Sequence, residues 1–367
     1  MNEPPEKKRI VSIDALRGFD MFWIIGGDMI FRSLFTLVGT GWAGTLSGQL
    51  EHCAWHGFHF YDLIFPLFLF IMGVSMPFSF SKRLERGDSH REMTVHIIQR
   101  GLILILLGLM YNGLLELDFA DMRYAGVLQR IGITYIIAAF ILLRWKRPKI
   151  HLIIGGAILL LYWAVMAIPV PGSVSSVLTP QGNLASYIDR FLLPGRFCCF
   201  QFGDNEGILS TFPAVVNVLM GILAGQLLKS AGSNLKKVLT LAFSGIGCIA
   251  AALVWNIVFP INKLIWTSSY VLYSGGWSLL LLALFFWIID VRGFTKWAFL
   301  FIVIGMNPIT IYLAQNIIYF QGIANYFTGG LVELTGSFKP LLQEISVFAT
   351  KWLFLYFLFR QRLFLKV

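Results

Sequence analysis

The sequence predicts an all-α, polytopic integral membrane protein with about ten transmembrane helices, and three observations support this. First, 57% of the 367 residues are hydrophobic and only 13% are charged, with 33 Phe and 11 Trp, a composition foreign to water-soluble globular domains. Second, the apolar residues gather in runs of about 18–25, enough to cross a hydrocarbon core of ~30 Å. Third, Lys and Arg alternate between crowded and nearly empty connecting segments, the pattern of the positive-inside rule. No polar block is large enough for a soluble domain, so residues 1–367 read as one transmembrane domain.

The apolar runs fall at 13–38, 59–80, 97–115, 125–143, 150–168, 207–228, 237–259, 268–289, 297–320 and 341–359. Nineteen Lys and Arg occupy the segments within 7–9, 82–91, 144–149, 229–237, 292–296 and 360–366. The opposite set holds six: Arg32, Arg123, Arg190, Arg196, Lys263 and Lys339. Both termini are therefore expected in the cytoplasm, with residues 39–58 and the long loop 169–206 outside. The net charge of +10 follows from these loops and needs no nucleic-acid partner. The first apolar stretch carries Asp14, Arg17, Asp20 and Asp28 and has no small-residue cleavage site, so it is expected to remain in the mature protein. The four cysteines, Cys53, Cys198, Cys199 and Cys248, form neither a disulfide framework nor a zinc module. Cys198 and Cys199 share the outer side with Cys53, which leaves their pairing open.

On a regular helix turning about 100° per residue, Asp14, Arg17, Asp20, Asp28 and Arg32 share one sector of about 120°. That face must line the bundle interior or a cavity. Internal ion pairing, notably Asp14 with Arg17, is its structural reading. Asp28 lies deeper, after Gly26 and Gly27, with no local partner in the sequence, so a functional role weighs equally.

The second helix opens with His52, His56 and His59 at i, i+4 and i+7, with Glu51 and Asp62 close by. Such spacing fits a zinc pair, structural histidines at the interface, or a histidine that handles a proton or an acyl group. Neither HExxH nor paired cysteines accompany them, so no metal is expected and the last reading is preferred. In the fourth helix, Gln129 and Arg130 lie at about the depth of Asp62. They suggest either an Asp62–Arg130 pair or a polar ligand site. Asp204 and Glu206 open the sixth helix, where acids complement the helix dipole, on the same side as His52. Asn307, Gln315 and Asn316 put amides into the ninth helix, where interhelical hydrogen bonding is their structural reading.

Five blocks then carry a resemblance: SIDALRGFDMFW (12–23), EHCAWHGFHFYDLIFPLFLFIMG (51–73), GVLQRIGITY (126–135), DNEGILSTFPAVVNVLMGILAG (204–225) and GMNPITIYL (305–313). In this order they resemble the heparan-α-glucosaminide N-acetyltransferase family, and its bacterial branch more closely. The resemblance implies transfer of an acetyl group from cytosolic acetyl-CoA to a sugar amine across the membrane. It places the active-site histidine at His52 rather than His56 or His59. An asparagine implicated in the preceding helix corresponds to Asp28, although the stretch from there to the histidine is longer here. The large lumenal N-terminal domain of the animal enzyme has no counterpart, which fits a multi-pass protein of a bacterial plasma membrane. The resemblance does not specify the acceptor.

Together these readings assign His52 and Asp28 to catalysis. Glu51, His56, Asp62, Arg130, Glu206 and Asn307 are assigned to the acceptor, and Arg17, Arg100 and Gln129 to acetyl-CoA. The expected partners are acetyl-CoA, an amino sugar or glycan and the lipid bilayer, with a homodimer left open. A transporter or flippase of a sugar or lipid-linked sugar is the rival class. Such a protein should keep its charges near the membrane midplane, whereas the densest cluster here lies at one interface.

Overall fold

The computed structural model describes residues 10–172 and 177–365. Its first helices are α1 (Val11–Phe22), α2 (Asp28–Val38), α3 (Gly41–Gly48), α4 (Ile64–Glu85), α5 (His90–Tyr111), α6 (Val127–Arg144) and α7 (Pro148–Met166). They are followed by α8 (Leu184–Leu192), α9 (Thr211–Lys229), α10 (Asn234–Trp255), α11 (Ser268–Phe285), α12 (Phe299–Gly305), α13 (Pro308–Ile317), α14 (Phe320–Glu333) and α15 (Lys339–Arg360). A two-stranded antiparallel ribbon, β1 (Cys199–Phe200) with β2 (Gly203–Asp204), interrupts them. Among the described residues, nine helical runs are long and apolar enough to cross a membrane, and ten if a bent pair counts as one. The sequence expectation of an all-α polytopic membrane protein is met.

The chain divides into two compact units. One comprises Met1–Leu37, Gly232–Ala242 and Leu280–Leu365, and the other Val38–Ala231 and Phe243–Leu279. In the first, α1 packs on α12 with the backbones almost touching. A Cβ on Gly18 would lie 1.6 Å from the Phe301 carbonyl oxygen, and one on Gly305 would lie 2.0 Å from that of Asp14. Asp290 fastens the start of α1 by accepting the backbone N–H groups of Val11 and Ser12 at 3.0 Å each.

Helix one is not the regular helix the sequence reading assumed. Trp23–Gly27 form a π-turn in which Gly26 has φ 126°, a left-handed value that glycine adopts without strain. The helical phase is reset there, so the single face predicted for Asp14 through Arg32 ends at the break. The Ile25 carbonyl beside it accepts from Nζ of Lys351 at 2.9 Å. Asp28, opening α2, lies within electrostatic range of Arg32 and Lys351. It therefore has charged neighbours that its own sequence surroundings only half reveal.

The ninth predicted span is bent by 62° between Lys296–Gly305 and Pro308–Ile317. Pro308 lacks the N–H needed to continue a helix and is favoured at the first position of a new one. α5 begins seven residues before the expected start because Ser89 and Glu92 form a capping box. The Glu92 N–H donates to Ser89 Oγ at 3.3 Å, and the Ser89 N–H to Glu92 Oε2 at 2.7 Å. Helices α3, α8 and α14 fall in stretches that hydropathy alone left as loops.

In the second unit, α4 and α9 run parallel in close contact. Gly221 and Gly225 form a small-xxx-small pair that lets backbones approach. A Cβ at Gly221 would meet the Phe70 carbonyl oxygen at 2.0 Å, one at Gly225 that of Val74 at 2.4 Å, and one at Gly73 that of Val218 at 2.1 Å. Parallel packing sets the first turns of α4 and α9 at the same end. The start of α11 joins them, because Trp266 Nε1 donates to Asn217 Oδ1 at 3.0 Å and Tyr270 Oη to the Asp62 carbonyl at 2.7 Å.

Candidate active site

The loop 51–59 that follows α3 is irregular, so the expected helical face of three histidines does not form. Its geometry is set by one buried carboxylate. Asp62 sits in a 3₁₀ turn, Phe60–Leu63, and its Oδ2 accepts the backbone N–H groups of Cys53 (3.2 Å) and His59 (3.0 Å). Its Oδ1 lies 2.8 Å from Nδ1 of His52. A loop wrapped around an acceptor in this way is what gives the three histidines different surroundings.

The Asp62 side chain is 1% exposed and that of His52 51%. An ionised carboxylate only accepts, so Nδ1 carries the proton in this contact and Nε2 keeps its lone pair. His56 lies with its Nδ1 3.4 Å from Asn262 Nδ2, and His59 with its Nδ1 3.1 Å from the Glu51 carbonyl oxygen. Glu51 itself is exposed. His52 is thus the one of the three held by a carboxylate.

Lys263 completes the cluster. Its Nζ is 3.4 Å from Asp62 Oδ1, 3.0 Å from His52 Nδ1 and 3.4 Å from His52 Nε2. Lys263 is buried, and burial pushes its ammonium below the ordinary lysine value, with Asp62 and Glu206 opposing that shift. Its segment is tied down locally. Asn262 Oδ1 accepts from the Ile265 N–H at 3.1 Å, and the Asn262 N–H donates to Thr267 Oγ1 at 3.0 Å. The Gly57 N–H reaches across to the Ile261 carbonyl at 2.9 Å. Sequence reading counted Lys263 only as a loop charge. A lone lysine between two apolar spans was the available signal.

Of the two readings open for Arg130, the pair with Asp62 is not formed, because Asp62 is taken by His52 and Lys263. Arg130, 1% exposed, donates through Nη2 to Ser210 Oγ and to the Gly207 carbonyl at 3.3 Å. Its guanidinium carbon lies 4.7 Å from the Trp266 ring centroid, a cation–π contact. Its Nε and Nη1 are buried without a protein partner. Gln129 Nε2 donates to the Tyr124 carbonyl at 3.3 Å.

Asp204 and Glu206 share Arg123, another residue that sequence reading missed. Arg123 Nε reaches Asp204 Oδ2 at 2.8 Å and Nη2 reaches Asp204 Oδ1 at 2.6 Å, while Nη2 also contacts Glu206. Burial alone would raise Asp204, but the Arg123 contacts outweigh it and hold the carboxyl below its usual range. Burial acts on Arg123 in the opposite sense to these carboxylates, and the carboxylates win, raising it. Nearby Asp189 accepts the Ile208 and Asp204 N–H groups at 2.9 and 3.2 Å. Burial pushes it up to about 6.

The remaining candidates lie elsewhere. Arg17 contacts Asp14 Oδ1 (3.3 Å), the pair the sequence suggested, and the Gly305 carbonyl (3.4 Å). Arg100 stacks on Tyr135 at 4.7 Å and has a buried, unpartnered Nε. Asn307 ties down the end of the chain, donating to the Leu363 carbonyl (3.0 Å) and accepting the Leu365 N–H (3.2 Å). Cys198 and Cys199 are bonded to each other, leaving Cys53 free with its thiol 3.0 Å from the His56 carbonyl.

A half-exposed imidazole, aligned by a buried carboxylate and flanked by a buried ammonium, is an arrangement whose chemistry suits proton or acyl transfer. The comparisons with known proteins agree in class. The family model described as heparan-alpha-glucosaminide N-acetyltransferase, catalytic, matches residues 9–243, so the chain belongs to that family. It is 27% identical to the mouse and human proteins named heparan-alpha-glucosaminide N-acetyltransferase. Those alignments cover 99% and 98% of this chain but 62% and 60% of the relatives, so the chain spans about three fifths of their length.

Proposed function

We propose that this protein is a transmembrane acetyltransferase that moves an acetyl group from cytosolic acetyl-CoA to an amino sugar or glycan amine on the outer side. The observation that carries this reading is the His52–Asp62 contact at 2.8 Å on a half-exposed ring whose Nε2 faces the Lys263 ammonium at 3.4 Å. Membership of an acetyltransferase family supplies the reaction class.

Thioester aminolysis forms one C–N bond and breaks one C–S bond. The acceptor amine loses a proton and the departing CoA sulfur gains one. His52 Nε2 is the group placed to take the first and return the second, and Asp62 stabilises the imidazolium formed between the two steps. The same lone pair is equally placed to attack the thioester directly. Asp62 also fixes the tautomer, which a free surface histidine would lack.

Arg100, with its unpartnered Nε, and Arg17 are the cations proposed for the CoA phosphates. Arg130, with two unpartnered nitrogens, Nε and Nη1, is proposed for a carbonyl or hydroxyl of the acceptor. The test is purified protein in nanodiscs with radiolabelled acetyl-CoA and a panel of amino sugars. Label in an N-acetylated sugar supports the reading, and hydrolysis without transfer to any amine overturns it.

A further inference from the structure

The contact between Lys263 and His52 poses a bonding problem. Nδ1 of a neutral imidazole either donates or accepts. With its proton directed to Asp62 Oδ1 at 2.8 Å, it has no lone pair for the ammonium 3.0 Å away. Lys263 is therefore pressed against the ring without a hydrogen bond to Nδ1. It is the cationic partner of the buried Asp62 carboxylate, whose backbone donors at Cys53 and His59 carry no charge. Burying an ammonium is costly unless its pairing is excellent, and the ion pair here is 3.4 Å long. One ammonium thus balances the Asp62 charge and also lies beside the imidazole, 3.0 Å from Nδ1 and 3.4 Å from Nε2, within reach of a group that reacts at Nε2.

Resting on the acetyltransferase reading, we propose that Lys263 is a catalytic residue whose ammonium stabilises the oxyanion formed on the acetyl carbonyl during transfer at His52. Nζ lies 3.4 Å from Nε2. A carbonyl oxygen on a carbon attached to Nε2, or attacked by an amine hydrogen-bonded to Nε2, falls within reach of the same ammonium. When the new C–N bond forms, the carbonyl π electrons move to oxygen. When the C–S bond breaks they return. In direct transfer the thiolate takes the proton that His52 received from the amine; in the acetyl-histidine route it leaves as a thiolate and is neutralised by the proton the amine releases on taking the acetyl group from Nε2. Lys263 keeps its own proton throughout.

The ammonium is pre-aimed because residues 261–267 are locked by the Asn262, Thr267 and Gly57 hydrogen bonds. A charge preorganised in this way needs no reorientation at the moment of reaction.

The test compares Lys263→Met and Lys263→Arg with wild type and His52→Ala in nanodiscs, reading kcat, KM, monodispersity and melting temperature. Loss of an oxyanion donor should lower kcat by about 100-fold or more in Lys263→Met with little change in KM. Lys263→Arg, which keeps the charge, should recover part of that loss. A folded Lys263→Met within about three-fold of the wild-type kcat overturns the assignment. Should Lys263→Met fail to fold, Asp62→Asn is compared with Asp62→Asn/Lys263→Met, which removes both buried charges together. A further drop in kcat supports the role, and equal kcat in the two overturns it. Inactive wild type would sink the acetyltransferase reading itself. Active wild type, inactive His52→Ala and fully active Lys263→Met would sink this inference alone.

Discussion

Asp62 is 1% exposed while His52, whose Nδ1 it holds at 2.8 Å, is 51% exposed. The anchor is buried and the working edge is wet. Sequence separation of ten residues and an irregular loop join the two, so their alignment depends on the loop. That loop is in turn pinned by the same carboxylate through the Cys53 and His59 N–H groups.

His52→Ala should therefore abolish acetyl transfer, a loss of at least about a thousand-fold in kcat if Nε2 is the base or nucleophile. Folding should survive, because the imidazole is half exposed and Asp62 keeps both backbone donors. His56→Ala and His59→Ala should retain measurable turnover, since neither ring touches a carboxylate. Equal failure of all three variants, each well folded, would overturn the assignment to a single histidine.

The donor side is tested at Arg100 and Arg17. Arg100→Gln should weaken acetyl-CoA binding by about 1–3 kcal/mol, the scale of a charge-assisted hydrogen bond. Arg17→Gln should do the same but also lower the melting temperature, because Arg17 is engaged with Asp14 and Gly305. Isothermal titration with acetyl-CoA reads both. Unchanged affinity in two folded variants would leave these arginines as structural groups.

Much of this was legible in the sequence because membrane crossing is a matter of length and apolarity. The all-α class and the number of crossings follow from that alone, and the Asp14–Arg17 pair follows from its three-residue spacing on a helix. The π-turn at Trp23–Gly27, the bend at Asn307 and the helix 320–333 were not legible, because hydropathy is blind to backbone phase. At the site, His52 and Asp62 stood out as ionisable groups at the mouth of a span. Their partner did not, because Lys263 approaches from 211 positions away in the chain. One of the two readings open for Arg130, a pair with Asp62, matched charges by depth and is not formed. The structure instead satisfies Asp62 with nearer donors and turns Arg130 to Ser210 and Trp266.

Arg123 neutralises two buried acids with one guanidinium. Arg123→Met would leave Asp204 and Glu206 buried and uncompensated, at a cost of about 3–5 kcal/mol. Faster hydrogen exchange across 196–210 and a lower melting temperature are the expected results. The triple variant Arg123→Met/Asp204→Asn/Glu206→Gln should recover part of the loss by removing the stranded charges. If the triple variant melts below Arg123→Met, the cluster does not act through charge balance.

Asp189 supplies a pH test whose sign is opposite to the usual carboxylate case. Its ordinary value is 3.8, and burial raises it to about 6 in the folded chain. Between those values the folded protein holds a proton that the unfolded chain has released. The stabilisation this group contributes is complete below about 3.8 and is lost as the pH rises through about 6. The loss at neutral pH is on the order of 3 kcal/mol. Asp204, held below its usual range by Arg123, works the other way, contributing above the ordinary value and losing that contribution as the pH falls. Asp189→Asn removes the titration but leaves one of the Ile208 and Asp204 N–H groups without a good acceptor, at a cost of about 1–3 kcal/mol. The variant should therefore be clearly less stable than wild type at pH 5 and close to it, or more stable, at pH 7.5, on either side of that midpoint. Melting temperatures across this range provide the check. Parallel curves for the two proteins would show that Asp189 does not titrate near 6 in the folded state.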